Sequence, residues 1–429
     1  MDPAIITLCV LAVAAFLFIT ELIPLAVTAM AACTALGILG VLPSKQVYAG
    51  LSNSTVVLFG GMFVIGAAMF KTGLAEAIGI AVVKKAGTNQ VPLMAAIMLV
   101  TIALSAVSSN TGTVACLMPV IIGICQAANI SPSKELMPLA IAANVGGTIT
   151  MIGTPPNVIV TGALSAAGLP TFGFFEFAYI GIPLSIIILV YTLFIGRHFI
   201  PDKQAGEMDE EAVKAAAEEA GASGDSAPKS KTKMWISGII LLGVVACMAL
   251  GLKNLPLHTA AVTGAILCVI TGCLKEKEAY AGIDWVTIFL FAGMLSVATA
   301  MEKTGAGKLI ADTVVGSMGE HPNAVVLCAV LYLISNVLTQ FMSNTAAAAL
   351  LAPIGISIAQ SIGADPKPVL MAIGIAASMA FATPMATPPN TLVLGPGGFS
   401  FNDYAKVGVP MCLISLVASV IIIPIFWPF

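Results

Sequence analysis

The chain has 429 residues, of which 59% are apolar and only 9% charged, and its mean hydropathy is +1.03. A soluble domain carries about 25% charged residues, so this composition excludes a soluble enzyme and a disordered chain. A formal charge of −3 with one arginine, Arg197, offers no basic face for nucleic acid. What remains is an all-α polytopic membrane protein, because the apolar runs are long and continuous rather than alternating as in a barrel.

In chain order, segments of about 17–25 apolar residues, long enough to cross a bilayer, fall near 4–20, 24–42 and 54–70. An amphipathic connector is expected over 74–88. The stretch 91–128 is apolar around a polar centre, Ser105, Ser108, Ser109, Asn110 and Thr111. Such side chains bond to nearby backbone and favour turns, so a re-entrant hairpin is expected, with arms 91–107 and 112–128. The segment 136–166 is interrupted by Thr154-Pro155-Pro156-Asn157, and two adjacent prolines break a helix. A final span is expected at 176–196. A solvated linker follows at 200–234, and the 37 positions from Arg197 to Lys233 hold 14 of the 39 charged residues.

The order then recurs. Spans are expected at 235–251, 256–273 and 284–301, a connector at 306–318 and a last span at 408–427. A second hairpin at 323–359 centres on Thr339, Gln340, Ser343, Asn344 and Thr345. A second broken helix at 368–398 breaks at Thr387-Pro388-Pro389-Asn390. Residue identities repeat as well: Lys71-Thr72-Gly73 matches Lys303-Thr304-Gly305 at offset 232, and Ser109-Asn110-Thr111 matches Ser343-Asn344-Thr345 at offset 234. The two Thr-Pro-Pro-Asn motifs stand 233 positions apart. Residues 1–199 and 235–429 are thus expected to be two repeats. Each has five crossings, one re-entrant hairpin and one broken helix, and an odd number of crossings inverts the second repeat.

With both termini outside, 13 of the 18 Lys and Arg fall on the inner side and 5 on the outer, in the sense of the positive-inside rule, and the linker is cytoplasmic. The N-terminus lacks a basic leader and is read as a mature first span in the cell membrane. The nine cysteines sit without a CxxC and read as packing residues. Glu21, Asp284 and Glu302 read as interfacial anchors, and His198, His258 and His321 as span edges.

The chemistry lies in four segments, 91–133, 138–175, 322–364 and 368–402, that contain no Asp, Glu, Lys, Arg or His. Broken helices leave carbonyl oxygens free, and with hydroxyls and Asn amides these suit a hard cation. Half-helix N-termini carry positive dipole ends and free N–H groups that suit an anion. No side chain there can neutralise an anion by charge. A dianion in such a pocket needs bound cations, so binding of the two is expected to be coupled.

At these residues the chain resembles the divalent anion/sodium symporter family. The resemblance rests on both Ser-Asn-Thr motifs, both Thr-Pro-Pro-Asn breaks, and Thr20-Glu21 followed by Ile23-Pro24-Leu25, and it covers nearly the whole chain. It implies at least two Na+ sites, the first from Ser105, Ser109, Asn110 and Gly153, the second from Thr339, Met342 (by its carbonyl), Asn344 and Ala386. It implies substrate contacts from Asn110, Thr111, Thr154, Asn344, Thr345, Thr387 and Pro388. It further implies a homodimer that carries a small divalent anion such as succinate, malate or citrate by an elevator movement. Competing readings are a cation/proton antiporter, an arsenite-type carrier and a sodium-independent anion exchanger. Antiport normally needs a carboxylate near midplane, which the uncharged segments do not supply. No HExxH or GxSxG motif supports an enzyme.

Overall fold

The computed structural model describes residues 2–429 except 88, 129, 204–229, 253 and 319–322. Most of the expected linker, and His321, lie outside the described residues. Among the described residues every regular element is a helix, as the composition requires.

The first half holds α1 (Pro3–Thr20), α2 (Leu25–Ile38), α3 (Ser54–Lys71), α4 (Leu74–Ala86), α5 (Gln90–Ser105), α6 (Asn110–Ala128), α7 (Ser133–Gly146), α8 (Pro155–Ala166) and α9 (Ala178–Phe194). The second half holds α10 (Lys231–Leu250), α11 (Leu257–Ile270), α12 (Trp285–Thr304), α13 (Ala306–Met318), α14 (Ala324–Thr339), α15 (Asn344–Ser361), α16 (Pro366–Ser378), α17 (Pro388–Leu394) and α18 (Phe401–Phe426). Six of these, α1, α3, α6, α10, α12 and α18, are long and apolar enough to cross a membrane.

Local chemistry sets the helix ends. Asp2 caps α1 by accepting from Ala4 N at 2.9 Å, with Pro3 in the first turn. Asn53 caps α3, Asp284 caps α12, and Asp365 caps α16 ahead of Pro366. The Pro-Pro pairs open α8 and α17, where a missing N–H costs nothing. Several helices begin earlier than hydropathy suggests, α10 at Lys231 rather than 235 among them. Asp403 Oδ2 accepts from Ser400 N and Ser400 Oγ at 2.8 and 2.7 Å, so a polar first turn starts α18 at Phe401 rather than 408. Ser133 Oγ donates to the carbonyls of Pro201 and Lys203, and Lys134 Nζ to those of Arg197 and Ile200, which anchors α7 from Ser133.

Two sets of contacts organise the helices. In one, α2 packs along α12 and α3 along α11. Small residues permit it: a Cβ on Gly61 would lie 2.7 Å from Ala261 C, and one on Gly293 would lie 2.7 Å from Ala29 O. In the other, α5 packs on α7 and α14 on α16, while α8 lies on α15 and α16 and α17 lies on α6 and α7. Each broken helix therefore finishes against the opposite half. Lys367–Glu176 at 2.6 Å joins the halves again, and Lys203–Asp403 at 2.9 Å ties the start of the linker to α18.

Candidate functional site

The interlock brings both hairpin tips and both breaks to one cavity of about 630 Å³. Its lining includes Ser109, Asn110, Thr111, Gly153, Thr154, Asn344, Thr345, Ala386, Thr387 and Pro388. Phe59, Met62, Phe63 and Phe70 of α3 form its apolar side. Among the described residues lining it there is no Lys, Arg or His; the charged ones are Glu21 and Asp284. Glu21 stands at the end of α1 with φ +48°, the one non-glycine residue at positive φ among the described residues. Asp284 accepts from Thr287 N at 3.0 Å and from its hydroxyl.

Behind the first tip lies a knot of oxygens. Asn110 Oδ1 points to the carbonyl oxygens of Ala143 and Gly153, each 3.1 Å away, and to Ser105 Oγ. Ser105, fully buried, also reaches Ala143 O at 2.7 Å. A hydroxyl has one proton, so four oxygens share a single hydrogen. The second tip repeats this. Asn344 Oδ1 faces Ala386 O at 2.9 Å, Ala377 O at 3.3 Å and Thr339 Oγ1 at 2.6 Å, and Thr339 Oγ1 lies 2.8 Å from Ala377 O. Turning either carboxamide over would let its nitrogen donate instead. With oxygen inward, each knot is a cage of acceptors whose mutual repulsion a hard cation removes.

The breaks are held open by their own side chains. Asn157 Nδ2 donates to Gly147 O and Thr150 O at 3.4 and 2.9 Å. Asn390 Nδ2 donates to Ala380 O and Thr383 O, both at 2.9 Å. Thr150 Oγ1 ties the first break to Ala106 O in the first tip, and Thr383 Oγ1 ties the second to Gln340 O at 2.6 Å. These side chains thus pair part of the buried backbone around each break, at Gly147, Thr150, Ala380 and Thr383.

Of the residues implied for cation binding, Ser105, Asn110 and Gly153 come together in one knot, and Thr339, Asn344 and Ala386 in the other. Ser109 serves the tip itself: its Oγ accepts from Gly112 N at 3.3 Å and its carbonyl from Thr113 Oγ1 at 2.9 Å. Met342 is buried at the second tip, with its N–H donated to Leu338 O. Thr111, Thr154, Thr345, Thr387 and Pro388 line the cavity in front of the knots. Sequence reading missed the carbonyls of Ala143 and Ala377, because a carbonyl leaves no trace in residue type. It also missed Glu135, which the earlier start of α7 encloses. Glu135 is fully buried, and neither carboxyl oxygen has a hydrogen-bond partner. Replacing it with methionine, Glu135→Met, keeps the volume and removes two unpaired acceptors. Thermal unfolding should show a gain of about 1–3 kcal/mol; a loss would mean the carboxyl is engaged.

The citrate transporter family (CitMHS) matches this chain over residues 15–367 and 341–428. An uncharacterized transporter of Haemophilus influenzae is 31% identical, over 98% of this chain and 91% of its own. The sodium-dependent dicarboxylate transporter SdcS of Staphylococcus saprophyticus is 26% identical, over 95% of this chain and 83% of its own. Among solved structures, the YdaH transporter of Alcanivorax borkumensis is similar in fold, with a TM-score of 0.64 at 14% identity over 96% of this chain and 98% of that one. These relatives bear out the resemblance read from the motifs, and they are transporters rather than enzymes. The chain is a membrane-spanning transporter and belongs to the citrate transporter family.

Proposed function

We propose that the chain is a secondary active transporter that couples inward movement of a C4-dicarboxylate, such as succinate or malate, to sodium. The observation that carries this reading is the convergence of a carboxamide, a hydroxyl and two carbonyls behind each tip, beside one cavity whose described lining includes no Lys, Arg or His. Sodium at Ser105, Asn110, Ala143 and Gly153, and at Thr339, Asn344, Ala377 and Ala386, supplies the positive charge that a dianion needs. The hydroxyls of Thr111, Thr154, Thr345 and Thr387 then bind its carboxylates, helped by the N-termini of α6, α8 and α15. Ser109 and the Met342 carbonyl complete the two sodium sites from the tips, and Pro388 contacts the substrate.

The two halves are read as inverted repeats with ten crossings, both termini outside and the linker in the cytoplasm. In each repeat, 1–199 and 235–429, the leading spans (4–70 and 235–301) then build a dimer-making scaffold, and the hairpins and broken helices of both repeats build a moving domain. Sliding that domain along the scaffold exposes the cavity to each side in turn. The S. saprophyticus relative's sodium-dependent dicarboxylate transport supports the choice of ion and anion.

Proteoliposome uptake of labelled succinate tests the reading. Uptake should follow an imposed sodium gradient, and competition by malate, citrate, tartrate and sulfate ranks the anions. Uptake driven by a proton gradient alone would point to the antiporter-like alternative instead. Thr111→Val removes a hydroxyl from the cavity wall while keeping its shape. It should raise KM for the anion at least about 10-fold, as one lost hydrogen bond to a charged group does, with little change in half-saturating sodium. An unchanged KM would remove Thr111 from the anion site.

A further inference from the structure

The two repeats differ at the point where their broken helices meet. In the first, Ala143 turns its carbonyl to the Asn110 knot, and the next side chain, the buried Asn144, donates from Nδ2 to Asn390 Oδ1 at 3.1 Å. Asn390 in turn holds the Ala380 and Thr383 carbonyls of the second break, a few residues before Ala386, which faces Asn344. A continuous run of bonds therefore leads from one oxygen knot to the backbone that shapes the other.

The reciprocal link is missing. Ala377 turns its carbonyl to the Asn344 knot, but the next residue is Ser378, at the position 234 after Asn144. Its hydroxyl donates to Gly374 O on its own helix at 3.1 Å. Asn157, the counterpart of Asn390, holds the first break through Nδ2, yet its Oδ1 is fully buried without a hydrogen-bond partner. The second repeat has a serine where the first has Asn144, and Asn157 Oδ1, unlike Asn390 Oδ1, has no donor.

We propose that Asn144 is a positioning residue that couples the two cation sites, through a single side-chain link rather than the symmetric pair that the duplication would give. A cation drawn to Ala143 O fixes the end of α7. That sets Asn144 against Asn390 and pre-forms the carbonyl geometry of the second site. Linkage is reciprocal in free energy, so a cation in the second site favours the first through the same bond. The proposal rests on reading both knots as sodium sites.

Sodium titration of the purified full chain tests it. Thermal unfolding is followed without any anion, with choline replacing sodium at constant ionic strength. The wild type should respond cooperatively, with a Hill coefficient above 1. In N144S the coefficient should fall to about 1, and half-saturating sodium should rise about 5-fold or more. Adding S378N to N144S supplies a donor opposite Asn157 Oδ1 and should restore cooperativity by the other route, which a purely structural defect would not allow. S378N alone should lower half-saturating sodium, so the test stands even if N144S folds poorly. An unchanged coefficient in N144S, or a loss that S378N fails to restore, overturns the proposal. A wild type with no sodium response at all contradicts the sodium reading beneath it, a result distinct from an intact response that ignores Asn144.

Discussion

Asn110→Ala and Asn344→Ala are each expected to abolish sodium-driven uptake while leaving expression and folding intact. Each asparagine places its carboxamide at the centre of a knot and also opens the second arm of a hairpin. Alanine keeps the helix but removes one cation ligand and uncovers the carbonyls behind it. An interaction with a charged group is worth about 1.5–3 kcal/mol, so sodium affinity at the altered site should fall about 10- to 150-fold. Because the anion has no fixed positive charge to rest on, its binding should fall with the sodium. The check is uptake in proteoliposomes beside size-exclusion behaviour of the purified variants. Retained transport in both would remove the knots from the mechanism.

Gly147→Ala should be nearly as damaging, for a steric reason. A Cβ there would stand 2.7 Å from Asn110 Oδ1 and 2.9 Å from both Asn110 Nδ2 and Gly153 O. None of these can retreat cheaply: the carboxamide is part of the knot, and the carbonyl belongs to a break held open by Asn157. Overpacking of this kind costs about 1–3 kcal/mol, and the strain falls on a cation site rather than on a compliant side chain. Half-saturating sodium should rise about 5-fold or more. Gly123→Ala on α6 is the control, since a Cβ there meets nothing within 4 Å. Equal sodium dependence in the two variants would show that the first knot does not bind the cation.

Much of this site is legible in the chain because it occurs twice. A lone Ser-Asn-Thr in an apolar helix is ordinary packing. Two of them, each about 45 residues ahead of a Thr-Pro-Pro-Asn, mark paired tips and paired breaks. What stays hidden is what residue type does not encode. Ala143 and Ala377 act through their carbonyls, and only the reach of Ser105 and Thr339 reveals them. The motif asparagines Asn157 and Asn390 brace the unwound backbone with their amides, a role the helix-breaking prolines beside them do not announce. Helix starts are lost where a polar turn precedes the apolar run, as at Phe401 and at Ser133, which is how Glu135 came to be left outside its helix. The crossing of α8 and α17 into opposite halves depends on packing between distant parts of the chain, and no local pattern announces it.

In the proposed mechanism the pocket takes its positive charge from solution. Equilibrium binding to the purified transporter tests this most directly, by titrating succinate, malate, citrate and sulfate in sodium buffer and in choline buffer of equal ionic strength. At least one of these anions should raise the unfolding temperature in sodium, with an apparent affinity at least about 10-fold weaker in choline. Equal affinity in both buffers would contradict the account, because the pocket would then be holding a dianion with charge of its own.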